Sequence, residues 1–153
     1  MSPFKPILIA SLALMVAACG KSGDTAPDSA AALAAKAAVD ALPAPYNTAD
    51  IAHGKALFAQ CRSCHTAVEG GADMVGPNLY GVFGRVAGTK PDFNYSPALK
   101  AAGFTWEAQH LDAWLKDPRG YLPGAKMTFA GLQDEKDRID VIAYLKTATG
   151  YKP

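Results

Sequence analysis

The sequence predicts an all-α fold of four to five helices joined by long loops, and three observations carry it. Capping residues precede apolar stretches of helical spacing at several points between residues 49 and 148. Residues 66–95 are rich in glycine and proline and show little periodicity, which reads as a long loop region. No convincing run of alternating apolar and polar residues marks a strand. The 153 residues allow one domain of ordinary size. Half are apolar, 9% aromatic and 19% charged, and much of the alanine lies before residue 46.

Residues 1–18 read as an export signal. Lys5 and the amino terminus supply a weak positive region, and residues 7–18 are apolar except Ser11. Twelve helical residues span about 18 Å, short of a hydrocarbon core of about 30 Å, so the run fits a removed signal peptide better than a permanent span. It ends in Val16-Ala17-Ala18-Cys19-Gly20, which resembles the lipobox of bacterial lipoproteins, where the cysteine is acylated and begins the mature chain. Ordinary cleavage after Ala18, leaving a free thiol, is the plainer alternative. Residues 19–46 then read as an acylated Cys19 and an alanine- and proline-rich tether. Ten of residues 26–45 are alanine. Asp28 or Ser29 could cap a short helix ending at Leu42, before Pro43-Ala44-Pro45. With so few large apolar side chains, the stretch is expected to bury nothing against a core and to act as a spacer.

Residues 47–153 are the expected folded domain. Thr48 can cap a helix over about 49–62. In Ser96-Pro97-Ala98-Leu99-Lys100-Ala101-Ala102-Gly103 a serine caps, a proline takes the first turn and a glycine ends the helix. Thr105 can cap a helix over 106–116, which Pro118 limits at Asp117. Asp134 can cap the last helix, to about Ala148, where Val141, Tyr144, Leu145 and Ala148 form a packing stripe. Loops this long in a small domain indicate a function or a missing piece of interior, and a large apolar cofactor would be such a piece.

Cys61-Arg62-Ser63-Cys64-His65 is a C-x-x-C-H motif, the c-type haem attachment signature. Two thiols on one turn can reach two vinyl groups on one side of a porphyrin, and the next residue places an imidazole under the iron. A thioredoxin-like redox pair needs a βαβ setting that is not visible, and a zinc site needs a second ligand pair that does not follow. The export signal agrees with haem, which is attached outside the cytoplasm. For the sixth iron position the domain offers two methionines, Met74 and Met127. Met127 lies in a loop stiffened by Pro123 and freed at Gly124 and Gly131, which could carry its sulfur over the far haem face; filling a core gap is the alternative. His53 and His110 are less favoured ligands. A thioether raises the reduction potential and closes the iron to oxygen and peroxide, which suits electron transfer.

Together these residues carry a resemblance. Gly54-Lys55-Ala56-Leu57-Phe58, the haem motif, Gly76-Pro77-Asn78-Leu79-Tyr80-Gly81, Phe83-Gly84-Arg85, Phe93-Asn94-Tyr95-Ser96, Phe104-Thr105-Trp106, residues 118–127, Phe129-Ala130-Gly131 and Ile142-Ala143-Tyr144-Leu145 follow one another in order. Residues 49–153 thus resemble class I cytochrome c, close to the mitochondrial cytochrome c and bacterial cytochrome c2 group. The resemblance implies the cytochrome c fold wrapped around one haem c. Cys61 and Cys64 would form its thioethers, and His65 and Met127 would be axial ligands. The Pro77 carbonyl would accept a hydrogen bond from His65. Arg85, Tyr95 and Trp106 would hold the propionates, and Phe129 would shield the haem. Gly54 and Phe58 would meet Val141 and Tyr144 where the first and last helices of the domain cross. Trp114 stands where the mitochondrial proteins usually have a tyrosine near the methionine sulfur, and Ala125 where threonine is common. The chain is one residue shorter before Cys61.

The functional expectation is a monomeric, membrane-tethered one-electron carrier on the periplasmic side of a bacterial membrane, held in the lipid bilayer through Cys19, or soluble in the periplasm if Cys19 is not acylated. The family implies transient docking to a quinol-cytochrome c reductase and a terminal oxidase. Arg62, Lys90, Lys100, Lys116 and Lys126 are candidates for a docking ring. The rival reading is a haem peroxidase or gas-sensing cytochrome with an open sixth position. A net charge of +1 argues against a nucleic-acid binder, and no apolar run of membrane-spanning length follows residue 20.

Overall fold

The computed structural model describes residues 26–150. Six α-helices lie among them: α1 (Ala26–Asp40), α2 (Ile51–Leu57), α3 (Pro97–Lys100), α4 (Ala108–Lys116), α5 (Pro118–Tyr121) and α6 (Glu135–Ala148). Single 3-10 turns occupy Tyr46–Thr48 and Phe58–Cys61. The extended pairing among the described residues is one isolated bridge, Val86 with Thr105. The all-α expectation holds, with α5 as an added helix. The expected signal segment and Cys19 lie outside the described residues.

Local chemistry explains most helix ends. Asp134 caps α6, its Oδ1 accepting from the Lys136 amide at 2.7 Å. Ser96 caps α3 by accepting from the Leu99 amide, and Pro97 takes the first turn. Two expected caps are corrected. Asp50, not Thr48, caps α2: its Oδ1 accepts from the amides of Ala52 and His53 at 2.9 and 3.0 Å. The Thr48 hydroxyl instead donates back to the Pro45 carbonyl. Helix α4 starts at Ala108, after Glu107, because Thr105 is drawn into the bridge opposite Val86. Pro118 does stop α4 at Asp117, and it then opens α5, whose Gly120 amide bonds Asp117.

Helix α6 is the centre of the packing, with α1, α2 and α4 all against it. The expected stripe is therefore widened: Ile139, Val141, Ile142, Ala143 and Leu145 are all buried. The tightest crossing is α2 on α6. A Cβ on Gly54 would lie 2.0 Å from the Asp140 carbonyl oxygen, so only a glycine lets the backbones approach this closely. One turn on, the rings of Phe58 and Tyr144 pack at 5.2 Å. The wholly buried Asp140 carboxylate accepts from the Asp50 amide, from His53 Nδ1 and from Lys136 Nζ. Burial alone would favour its neutral form, but these donors outweigh it and hold its pKa below the ordinary carboxylate value.

The expectation that residues 26–45 bury nothing is corrected. Helix α1 forms, and Val39 and Leu42 are 4% and 6% exposed, followed by a buried Tyr46. Burying each such side chain stabilises by about 1.5–3 kcal/mol, enough to dock the end of the extension although its alanine face offers little.

The α2–α6 crossing makes a direct prediction. Gly54→Ala should destabilise the protein by about 1–3 kcal/mol, read as a lower midpoint in denaturant unfolding, because the new methyl meets backbone atoms that cannot rotate away.

Candidate cofactor cavity

A cavity of about 640 Å³ lies between α2, α4, α6 and the loops, a volume typical of small-molecule and cofactor sites. Helix ends and helix faces supply its apolar walls: Phe58 after α2, Leu111 and Leu115 from α4, Val141 and Leu145 from α6. The ten site residues expected within the domain all line it: Cys61, Cys64, His65, Pro77, Arg85, Tyr95, Trp106, Trp114, Met127 and Phe129. His53 and His110 are not in its wall.

The tight turn after α2 builds the first edge. The amides of Cys64 and His65 both bond the Cys61 carbonyl, at 3.1 and 2.9 Å, which places the two thiols and the imidazole on one turn. Cys61 and Cys64 are half-buried. Burial, with Cys64 as neighbour, pushes the Cys61 thiol up to about 11. His65 Nδ1 lies 2.7 Å from the Pro77 carbonyl oxygen. A carbonyl only accepts, so Nδ1 carries the proton and Nε2 keeps a lone pair for a metal. Burial lowers the His65 pKa despite the opposing pull of Pro77, which favours the neutral, ligating ring. Gly76 closes the other side: a Cβ there would lie 2.2 Å from the ring. The sequence shows this glycine only as part of a motif, and its role against the imidazole is visible only in the fold.

A second group of side chains comes together through backbone pairing. The Trp106 amide bonds the Arg85 carbonyl at 2.9 Å, and the Gly84 amide bonds the Trp106 carbonyl at 3.0 Å. This ladder sets Arg85 beside Trp106. Arg85 Nη1 donates to the Tyr80 carbonyl. Tyr95 is buried, and its pKa is raised first by that burial, with the Arg85 charge acting against it. Three donor-bearing side chains thus converge on one cavity, a cluster suited to carboxylates.

Met127 is half-buried in the wall, on a segment pinned at several points. Lys126 Nζ donates to the Asn94 carbonyl at 2.9 Å, and the Leu132 amide bonds the Leu115 carbonyl at 2.8 Å. Met74 also touches the cavity but is 47% exposed. Trp114 stands edge-on to Trp106, with centroids 5.4 Å apart. Asn78 is an unforeseen organiser of the loop. It is buried, its Nδ2 bonds the carbonyls of Val68 and Gly71, and its Oδ1 accepts from the Tyr80 amide. Of the lysines expected in a docking ring, Lys90 is paired with Asp73 at 2.9 Å and Lys126 lies at the cavity wall.

This donor set fits a haem. Two thiols on one turn suit thioether attachment, an imidazole with its outer nitrogen fixed and a thioether are iron ligands, and the walls are largely apolar.

Comparison with known proteins agrees. A model of the family described as "Cytochrome c" matches residues 51–149. Cytochrome c of Chlamydomonas reinhardtii is 50% identical over 101 residues, 65% of this chain and 90% of the relative. Cytochrome c2 of Afifella marina is 48% identical over 100 residues, 63% of this chain and 81% of the relative. The solved structure of cytochrome cH from Methylobacterium extorquens superposes with a TM-score of 0.61 at 44% identity, covering 64% of this chain and 98% of that one.

Covalent attachment is open to a simple check. Acidified organic solvent should leave the haem on the unsubstituted polypeptide and extract it from a Cys61→Ser, Cys64→Ser double variant, seen as loss of haem stain from the denatured band.

Proposed function

The chain belongs to the cytochrome c family, a single-haem electron carrier with one covalently attached haem c and not an enzyme, and from that premise we propose that it works as a membrane-tethered one-electron carrier whose iron is closed by His65 and Met127. When bound, the haem supplies one-electron exchange between Fe(III) and Fe(II). The single observation that carries the reading is that His65 and Met127 line one cavity with both cysteines, while His53 and His110 stay out of it. His65 and Met127 would hold the iron and so leave no position for oxygen or peroxide, and the Met127 thioether would favour Fe(II) and a high potential. Cys61 and Cys64 fix the haem in the pocket. Pro77 and Gly76 orient His65 and would hold its ring in one direction toward the group. Arg85, Tyr95 and Trp106 would receive the propionates, and Trp114 and Phe129 would keep water from the iron.

The remaining parts of the reading rest on residues 1–46. A removed signal over residues 1–18 and an acylated Cys19 place the carrier on the periplasmic side of a bacterial membrane, handing electrons from a quinol-cytochrome c reductase to a terminal oxidase by transient docking. With Val39 and Leu42 buried in the domain, only the residues before them separate the anchor from the carrier, so the domain is kept close to the bilayer and at high effective concentration near its partners.

Two experiments test this. The oxidised holoprotein should show the weak red charge-transfer band of iron–methionine bonding. Met127→His should abolish the band and lower the midpoint potential by on the order of 100 mV in a redox titration; an unchanged potential and a high-spin spectrum in the unsubstituted protein would sink the closed-iron reading. Cys19→Ser should move the protein from the membrane to the soluble periplasmic fraction, and its retention in the membrane would remove the lipid anchor from the proposal.

A further inference from the structure

The Met127 segment leaves α5 at Tyr121 and rejoins the core at Leu132. Its far end is held by the Leu132 amide on the Leu115 carbonyl, and its middle by Lys126 on the Asn94 carbonyl. Its near end is held by backbone bonds, among them the Leu122 amide on the Pro118 carbonyl, and in addition by two side chains. The Tyr121 hydroxyl bonds His110 Nδ1, one and a half turns before Lys116 on α4. The His110 ring is itself fixed by stacking on Phe104, with centroids 4.5 Å apart and planes 19° apart. Tyr121 in turn stands edge-on to Trp114, at 6.5 Å and 85°, and Trp114 lines the haem cavity. A chain of rigid rings thus runs from Phe104 through His110 and Tyr121 to the cavity wall. Neither His110 nor Tyr121 is in that wall, so neither reaches the iron.

We infer that His110 is a positioning residue for the iron's sixth ligand: by holding Tyr121 it fixes the stem of the Met127 segment and the edge of Trp114, and so keeps the Met127 sulfur in place against competing ligands. The role needs the bond between His110 Nδ1 and the Tyr121 hydroxyl, whichever of the two donates. Their bond is partly buried, where a donor left without its partner is costly. Losing it loosens the start of the segment while its backbone bonds and the Lys126 and Leu132 contacts remain, so the expected effect is local loosening around the sulfur rather than unfolding. The inference rests on Met127 ligation as proposed above.

Imidazole, which competes with a methionine for ferric haem iron, is the probe. Its affinity for the oxidised holoprotein is measured at fixed pH in the unsubstituted protein and in His110→Phe, Tyr121→Phe, the double variant and His110→Asn. Each phenylalanine variant should bind imidazole about fivefold more tightly, roughly the factor that one neutral hydrogen bond supplies. The double variant should match the singles, since each removes the same bond. His110→Asn, with an acceptor near the place of Nδ1, should stay within about twofold of the unsubstituted protein. Tyr121→Phe deletes one oxygen, so it keeps the test alive if the histidine variants fold poorly. Affinities within twofold in both phenylalanine variants, or a loosening in His110→Asn equal to theirs, overturn the role. Absence of the iron–methionine band from the unsubstituted protein overturns Met127 ligation and this role with it. With the band present, unchanged affinities overturn this role alone.

Discussion

The domain is organised around an interior that its own side chains do not fill. The apolar faces of α4 and α6 and the end of α2 turn toward one volume of about 640 Å³, and an apolar prosthetic group completes the core that they begin. Burial of that surface is what drives the fold, so haem binding and folding are coupled. The length of the loops follows. Cysteine, imidazole, thioether and propionate donors have to arrive from different directions, and a domain of this size has too few helices to carry them all. The segments 66–95 and 122–134 therefore run without regular structure along the cavity.

Loops with so little backbone pairing need other fixings, and here side chains supply them. Asn78 ties three backbone groups of the first loop. Arg138, nearly buried, bonds Asp112 on α4 and the carbonyls of Leu132 and Gln133 where the Met127 segment ends. Asp140 joins α2 to α6 through two donors, the Asp50 amide and His53. Among the described residues no buried side-chain polar atom lacks a partner, so these bonds stiffen the site without leaving an uncompensated group. A stiff site suits a carrier, because little has to move when the iron gains or loses charge. Loss of the Asp140 charge is the sign of acid lability to be expected from this design. A carboxyl held below its ordinary value contributes stability above that value and loses it as pH falls through the folded one.

The extension before residue 47 joins this core at one end. Val39, Leu42 and Tyr46 settle near α6, and Tyr46 lies close enough to Asp112 and Arg138 to feel their charges. The family match begins at residue 51, so the docked helix lies outside it. An extension that also packs is shorter in reach and more definite in direction than a free one.

Read alone, the sequence determined the features that depend on neighbours a few residues away. The C-x-x-C-H turn, the Ser96 and Asp134 caps, the stop at Pro118 and the loop character of 66–95 are all set within one or two turns of chain. The ordered motifs extended that reading to the ten residues that the fold gathers around one cavity. Tertiary structure decided the rest, because those choices are made by partners distant in the chain. Thr48 and Asp50 are both good caps, and Asp50 prevails where its own amide is held by Asp140, ninety residues on. Thr105 gives up its cap because Val86 pairs with it. The alanine-rich extension carries too little apolar surface to announce a docking site, and its few large side chains find one only because α6 is already assembled beside them. His110 read as a spare ligand, and only the closure of the 121–132 segment over α4 turned it toward Tyr121 instead of the iron.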